Sequence, residues 1–135
     1  MIVVDTSALI AVIAEEARME DCSNALSHAD EIVISAGTIV EYEIVSSRPE
    51  LRKVANNFIE SLQARVVAVD ASFARSLGQH YRQWGRGFHK AGLNMGDCYA
   101  YTLAQMLDLP LLFIGNNFAL TDVRSVLADP SPGIA

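Results

Sequence analysis

The chain has 135 residues, of which 51% are hydrophobic and 19% are charged. This length supports a single domain whose core needs neither a disulfide nor a structural metal, and the composition excludes a disordered chain. The net charge of −6, taken over the whole chain, argues against a nucleic-acid partner, because phosphate binding normally requires a positive surface.

Neither the cysteines nor the apolar segments indicate a secreted or a membrane protein. Cys22 and Cys98 form no disulfide framework and have no metal-ligand spacing. The longest apolar run, residues 8–14, is too short to cross a membrane, and Asp5 stands where a signal peptide would carry positive charge. We therefore expect a cytoplasmic protein with no membrane association.

Short apolar runs alternate with longer segments of helical composition. The runs lie at residues 2–4, 32–34, 66–69 and 111–114. Continuous β-branched and aliphatic residues are typical of strands that are buried on both faces. The segments between them predict helices over residues 6–29, 38–47, 49–63, 71–86 and 96–107. This order predicts an α/β fold, a three-layer α/β/α sandwich with a central, mostly parallel sheet of four or five strands.

We expect one domain over residues 1–135. No linker, repeat or low-complexity segment divides the chain. Residues 130–135 contain two prolines and a glycine, and we expect this tail to fray.

Polar residues follow the first and last predicted strands. In an open α/β sheet, functional groups collect at the carboxyl ends of the strands. Asp5 follows the first strand directly, and Asn116 and Asn117 follow the last. A cap for the helix that begins at Thr6 explains Asp5 equally well.

Asp97 falls on the apolar face of its predicted helix, which it shares with Ala100 and Leu103. A carboxylate on this face is costly unless a hydrogen bond or a cation replaces its lost hydration. Capping of the helix N-terminus contributes about 0.3–1 kcal/mol. Spacing alone slightly favours capping over a metal site.

The helix around residues 38–47 carries two acids, Glu41 and Glu43. We expect Val40, Ile44 and Val45 to face the core, which leaves both glutamates on the flanks of that face. Periodicity therefore does not choose between them.

Four segments of the chain, in this order, resemble the PIN-domain ribonucleases. They are IVVDTSALIAV, SAGTIVEYE, LNMGDCYAYTLA and LLFIGNNFALTDV. The resemblance covers nearly the whole chain, and the stretch GDCYAYTLA is its most specific part. It is closest to the VapC-type toxins of bacterial and archaeal toxin–antitoxin pairs.

The resemblance implies a metal-dependent endoribonuclease. It selects Glu41, and it implies that Asp5, Glu41 and Asp97 are catalytic residues that together hold one or two Mg²⁺ or Mn²⁺ ions. Three carboxylates repel one another strongly, and hard divalent cations prefer oxygen ligands. A metal-activated water would then cleave the RNA, while Thr6 or Ser7 hydrogen-bonds a ligand carboxylate. The resemblance also implies an RNA substrate, a cognate antitoxin and a homodimer.

The chain departs from the family after the last strand. Asn117 stands where the family commonly has a fourth acid, and an amide adds no charge. Asp122 matches another acidic position of the family, so both residues are accessory candidates. The alternative function is therefore a catalytically impaired module that binds RNA or an antitoxin.

The charges are unevenly distributed. Residues 71–96 contain no acid but four of the ten cationic residues. Arg82 and Arg86 are spaced to share a helical face, and the glycines after Trp84 place Lys90 in a loop. Cations that alternate with aromatic rings are typical of single-stranded RNA surfaces. Arg82, Arg86 and Lys90 face either RNA or the acidic residues of an antitoxin.

Overall fold

The computed structural model describes residues 1–134, and a parallel sheet lies at its centre. Its four strands are ordered β3-β2-β1-β4. Ile2 pairs with Ile32, and Val3 pairs with Leu111, so β1 is an inner strand. The strands are β1 (Ile2–Val4), β2 (Ile32–Ser35), β3 (Arg65–Val67) and β4 (Leu111–Leu112).

Helices cover both faces of this sheet. They are α1 (Thr6–Ile13), α2 (Met19–His28), α3 (Ala36–Val45), α4 (Pro49–Ser61), α5 (Ala71–Trp84) and α6 (Met95–Leu107), followed by a 3₁₀ turn at Phe118–Leu120. The predicted three-layer α/β/α sandwich is confirmed.

Alternate strand residues point to the two helical layers. Val4 and Ile34 belong to a core cluster with residues of α1 to α4, such as Tyr42. Val3 and Val33 belong to a second cluster, built mainly with α5 and α6. Strands β1, β2 and β4 are therefore buried on both faces, as their uninterrupted hydrophobic runs predict. The same prediction is wrong for the run at residues 66–69, because β3 lies at the edge of the sheet and Val66 is 53% exposed.

The helix predicted over residues 6–29 is two helices. Glu15 adopts a left-handed conformation with φ 53°, which a right-handed helix does not allow. The chain turns back there, and the Glu16 amide donates to Ala11 O at 2.9 Å before α2 begins at Met19. The turn at Glu15 therefore overrides the helical composition of this segment.

The prediction that Arg82 and Arg86 share a helical face is wrong. Helix α5 ends at Trp84, and Gly85 is its cap, with an amide that donates to Tyr81 O at 2.7 Å. A side chain at residue 85 would collide with Tyr81. Arg86 therefore lies in the loop between α5 and α6.

The prediction for the core-facing residues of α3 is also wrong. Val40, Ile44 and Val45 are 60%, 68% and 46% exposed. The buried side chains are instead Thr38 and Tyr42, whose hydroxyl donates to Ala55 O of α4 at 2.8 Å. The helix is oriented by one large aromatic residue that fills the core, and its aliphatic residues point outward.

The C-terminal segment is hydrogen-bonded to the rest of the fold as far as Ser131. Gly115 N donates to Pro130 O at 2.8 Å, and Arg18 Nη1 donates to Ser131 O at 2.6 Å. The predicted fraying stays a prediction for the residues that follow, and Ala135 lies outside the described residues. Over residues 1–134, no helix is both long and apolar enough to cross a membrane.

Candidate functional site

Asp5 lies at the carboxyl end of β1 and caps α1. Its Oδ2 accepts a hydrogen bond from Ser7 N at 3.0 Å. The residue is only 4% exposed, and Oδ1 is buried with no hydrogen-bond partner among the described residues. Capping therefore accounts for one carboxylate oxygen and leaves the other without compensation for its lost hydration.

The surroundings of Asp5 disfavour its charge. The pKa of Asp5 is raised from 3.8 to about 7, mainly by burial and also by the neighbouring Asp97 and Glu41 carboxylates, against the opposing effect of the Ser7 hydrogen bonds. A bound cation would remove this penalty, because it favours the ionised form.

Asp97 lies in the first turn of α6 and forms a capping box with Asn94. Asp97 N donates to Asn94 Oδ1 at 2.8 Å, and Asn94 N donates to Asp97 Oδ2 at 3.0 Å. Burial raises the pKa of Asp97, as does Glu41, while the hydrogen bonds from Asn94 and Asn117 lower it. Of the two explanations left open by the sequence, capping is therefore confirmed, and the residue also lies beside another acid, Glu41.

Glu41 and Glu43 point in different directions. Thr6 Oγ1 donates to Glu41 Oε1 at 2.6 Å, which directs Glu41 toward the end of β1. Glu43 instead forms an ion pair with Arg52 of α4, with 2.9 Å between Oε2 and Nη2. The structure therefore places Glu41, and not Glu43, beside the two aspartates.

Two glycines allow α3 and α6 to approach closely. A side chain at Gly37 of α3 would overlap the ring of Tyr99 on α6. A side chain at Gly96 of α6 would overlap the carboxylate of Glu41 on α3. This close contact brings Glu41 next to the first turn of α6, where Asp97 lies.

The three carboxylates line an open cleft of about 310 Å³. A fourth acid, Glu16, which sequence reasoning missed, lines the same cleft. An adjoining cavity of about 260 Å³ shares Asp5 and Asp97 and is bordered by Asn117. A larger cavity of about 420 Å³ lies away from these residues, between α2 and α4.

The chemistry of this cleft fits a hydrated divalent cation. Its donors are all oxygens, and Asp5 contributes a buried oxygen without a partner. Within residues 1–134, however, no three His, Cys, Asp or Glu side chains stand ready to hold a metal ion together. The carboxylates are neighbours across the cleft rather than a closed cage, which suits Mg²⁺ because this ion keeps several of its waters.

The two accessory candidates lie apart. Asn117 borders the adjoining cavity and hydrogen-bonds toward Asp97. Asp122 lines neither cavity, since its Oδ1 accepts hydrogen bonds from Tyr101 and Gln105. Asp122 is thus engaged in the packing of α6 and is not brought to the cleft.

The three predicted cationic residues are exposed. Arg82 lies near the end of α5, and Arg86 and Lys90 lie in the following loop. Their side chains form no ion pair or hydrogen bond with the part of the chain that is described. Two backbone hydrogen bonds join the two ends of the loop. Arg86 N donates to Leu93 O at 3.1 Å, and Leu93 N donates to Trp84 O at 3.1 Å. It therefore leads directly into the N-terminus of α6.

Known proteins match this chain along most of its length. Residues 2–123 match the PIN domain family. Ribonuclease VapC42 of Mycobacterium tuberculosis is 39% identical over 126 residues, which is 90% of this chain and 96% of the relative. Ribonuclease VapC of Mycolicibacterium smegmatis is 39% identical over 128 residues, or 92% and 98% of the two chains.

Solved structures share the fold. VapC20 of Mycobacterium tuberculosis, a toxin that cleaves the sarcin–ricin loop, has a TM-score of 0.74 at 17% identity and covers 93% of this chain and 98% of its own. A toxin–antitoxin complex from Klebsiella pneumoniae has a TM-score of 0.69 at 16% identity, with 90% and 93% covered. The chain belongs to the PIN-domain family and, within it, to the VapC ribonucleases.

Proposed function

We propose that this protein is a metal-dependent endoribonuclease and the toxin of a toxin–antitoxin pair. The observation that carries the proposal is the buried, unpartnered Oδ1 of Asp5 in a cleft that Glu41 and Asp97 also line. No packing role explains three acids lining it together, because Asp97 and Glu41 raise the pKa of Asp5, and Glu41 raises the pKa of Asp97.

Asp5, Glu41 and Asp97 would hold one or two Mg²⁺ or Mn²⁺ ions. When bound, such an ion supplies Lewis-acid activation of water and charge neutralisation at the scissile phosphate. Each carboxylate has one oxygen fixed by the protein, through Ser7 N for Asp5, Thr6 Oγ1 for Glu41 and Asn94 N for Asp97. These hydrogen bonds would hold each carboxylate in a set orientation toward a bound ion, with Oδ1 of Asp5 the oxygen that lacks a partner.

The proposed substrate is RNA. The relatives are named ribonucleases, and the exposed Arg82, Arg86 and Lys90 provide unpaired positive charge at the end of α5 and in the loop that leads into α6. Phe88 in the same loop is 58% exposed, which offers a ring on which a base can stack. An antitoxin with acidic residues remains an equal candidate for the same cations.

The proposed protein partners are a cognate antitoxin and a second copy of the chain. Solved toxin–antitoxin complexes share the fold. The exposed Val40, Ile44 and Val45 form an apolar face on α3 that suits a homodimer. Sedimentation equilibrium of the wild type and of Ile44→Glu tests this, since a dimer through α3 predicts a monomeric variant and a monomeric wild type contradicts it.

The central experiment measures RNA cleavage by the purified protein with Mg²⁺ or Mn²⁺. We expect cleavage to stop with excess EDTA, to return when the metal is restored, and to fall at least 100-fold in Asp97→Asn. Glu43→Gln is the matched control, because Glu43 pairs with Arg52 away from the cleft. Cleavage that survives both EDTA and Asp97→Asn would contradict the mechanism.

A second candidate function is an impaired PIN module that binds RNA or antitoxin without cleaving. The observation that favours it is the uncharged Asn117 beside Asp97. This candidate predicts binding without cleavage in every divalent metal.

A further inference from the structure

Glu16 is an acid of the cleft to which neither the sequence motifs nor the family resemblance assigns a role. It borders the same space as Asp5, Glu41 and Asp97. We infer that Glu16 is a fourth carboxylate of the cation site, one that holds waters of the hydrated divalent ion at the open side of the cleft. This inference rests on the proposed function and deepens it.

The backbone fixes where Glu16 lies. Glu15 is in the left-handed region with φ 53°, and this reverses the chain at the end of α1. Glu16 N then donates to Ala11 O at 2.9 Å, and Glu16 O accepts from Met19 N at 3.0 Å. With both of its backbone polar groups bonded, Glu16 is anchored between α1 and α2 at the rim of the cleft.

The carboxylate of Glu16 is not used elsewhere in the described structure. It is exposed and forms no ion pair or hydrogen bond with residues 1–134. The nearest cation along the chain, Arg18, is engaged by Asp21 at 2.8 Å and by Ser131 O at 2.6 Å. Glu16 therefore presents a carboxylate without a partner among the described residues to a cleft that already contains three acids.

A second observation indicates that a ligand belongs in this cleft. Asp5 is 4% exposed, lines the cleft, and has a buried oxygen with no partner. An acidic rim around such an oxygen is unfavourable unless a cation binds there. Acidic residues whose only role is to keep the protein soluble have no reason to line a cleft together with a buried carboxylate that lacks a hydrogen-bond partner.

The position of Glu16 also relates to Asn117. Asn117 borders the adjoining cavity on the Asp5–Asp97 side and contributes no charge. Glu16 borders the main cleft and not that cavity. The charge of the site is thus shifted toward the α1–α2 turn, where an exposed carboxylate is suited to bind the waters that Mg²⁺ and Mn²⁺ retain.

The experiment measures Mn²⁺ binding to the full-length protein without RNA, by electron paramagnetic resonance of the free ion. The variants are Glu16→Gln, Asp97→Asn and the matched control Glu15→Gln. Glu15 is adjacent, carries the same charge and does not line the main cleft. Circular dichroism of each metal-free variant shows whether it is folded.

We expect Glu16→Gln to weaken Mn²⁺ binding about 10-fold, as is typical for groups that support a metal site indirectly. Glu15→Gln should stay within about twofold of the wild type, because Glu15 does not border the main cleft and its exposed charge is screened by solvent. Equal affinities of the two glutamine variants, with Asp97→Asn weakened, would overturn this inference and leave the proposed function standing. A wild type that binds no Mn²⁺ would overturn both.

Discussion

Thr6 and Glu41 are 35 residues apart in the chain, and the hydroxyl of Thr6 donates to Glu41 Oε1 at 2.6 Å. Thr6 is the first residue of α1 and is buried, while Glu41 lies in the middle of α3. This hydrogen bond ties the end of β1 to the helix that supplies the glutamate. It fixes one oxygen of Glu41 and so sets the direction of the other.

Replacing Thr6 by Val should therefore impair the site with little change in shape. Valine has nearly the same volume but no hydroxyl, so Glu41 is left free to rotate and its Oε1 loses a partner. We expect Mn²⁺ affinity and RNA cleavage to fall at least 10-fold, measured by metal titration and by kcat/KM. Thr6→Ser keeps the hydroxyl and should stay near the wild type. Equal losses in both variants would show that packing, and not the hydrogen bond, matters.

A substitution of Gly96 should affect the stability of α6 and the activity of the site in different ways. Alanine inside a helix is favoured over glycine by about 1 kcal/mol. At Gly96, however, the added methyl group would overlap the Glu41 carboxylate. We expect Gly96→Ala to lose cleavage at least 10-fold by displacing Glu41, while circular dichroism still reports a folded protein.

The control for Gly96→Ala is Gly78→Ala in α5. The nearest atom to a methyl group there is Arg82 Nη1 at 3.3 Å, the mobile end of a long side chain. This variant should gain thermal stability without a loss of metal affinity. Full activity of Gly96→Ala would mean that Glu41 can occupy another position and still function.

The fold was predictable from the sequence because three of the four strands, β1, β2 and β4, are buried on both faces. The runs at Ile2–Val4 and Ile32–Ser35 fill two core clusters, and this leaves an uninterrupted apolar pattern that few other folds produce. The strand bounds shift by at most two residues. The break at Glu15 was not predictable, because a left-handed residue in a turn leaves no periodic signal.

The site was predictable only in part. The position of Asp5 follows from topology, since it lies at the carboxyl end of the first strand of a parallel sheet. Helix spacing drew attention to Asp97 but slightly favoured capping, so its place in the site required the family resemblance. Glu41 required the family resemblance, because the face of α3 is set by Tyr42 and by close contact at Gly37 rather than by its aliphatic residues. Glu16 had no signal at all, since its place in the cleft depends on how the turn after α1 folds.

The unusual environment of Asp5 should appear in the pH dependence of stability. Its pKa is about 7 in the folded protein and 3.8 ordinarily. Between pH 4 and pH 7, Asp5 is ionised in the unfolded chain but still largely protonated in the folded protein. The free energy of unfolding of the metal-free protein should therefore fall as the pH rises through this range. The effect of this one group is at most about 4 kcal/mol and is complete above pH 7.

Urea unfolding of the wild type and of Asp5→Asn at pH 5 and pH 8 isolates this effect. Asparagine also caps helices but does not titrate, so the variant should gain stability relative to the wild type on going from pH 5 to pH 8. Titrating groups that are distant from Asp5 cancel in the difference. A stability difference that is independent of pH would contradict the raised pKa.

Asn117→Asp should strengthen the site, because it adds a carboxylate next to Asp97. We expect tighter Mn²⁺ binding by about 10-fold together with lower stability of the metal-free protein, since a further like charge is added. A gain in cleavage of similar size would mark the natural asparagine as an attenuation. Cleavage that appears only in this variant would instead favour the impaired module.

The positive residues of the α5–α6 loop should control RNA affinity through salt. Arg82, Arg86 and Lys90 have no acidic partner among the residues described, so phosphate would not have to displace one. Each substitution by Ala should weaken binding of a single-stranded RNA and lower the slope of log affinity against log salt by somewhat less than one unit. The protein is best bound to RNA with Ca²⁺ in place of Mg²⁺, which limits cleavage during the measurement.

Lys53 of α4 is the matched control for these substitutions, because it is an exposed cation outside the loop. Lys53→Ala should leave the salt slope unchanged. If the loop variants bind RNA like the wild type but no longer bind a purified cognate antitoxin, the cations face the antitoxin and not RNA. The two partners are then distinguished by the same set of variants, since only RNA binding releases counterions in proportion to the phosphates contacted.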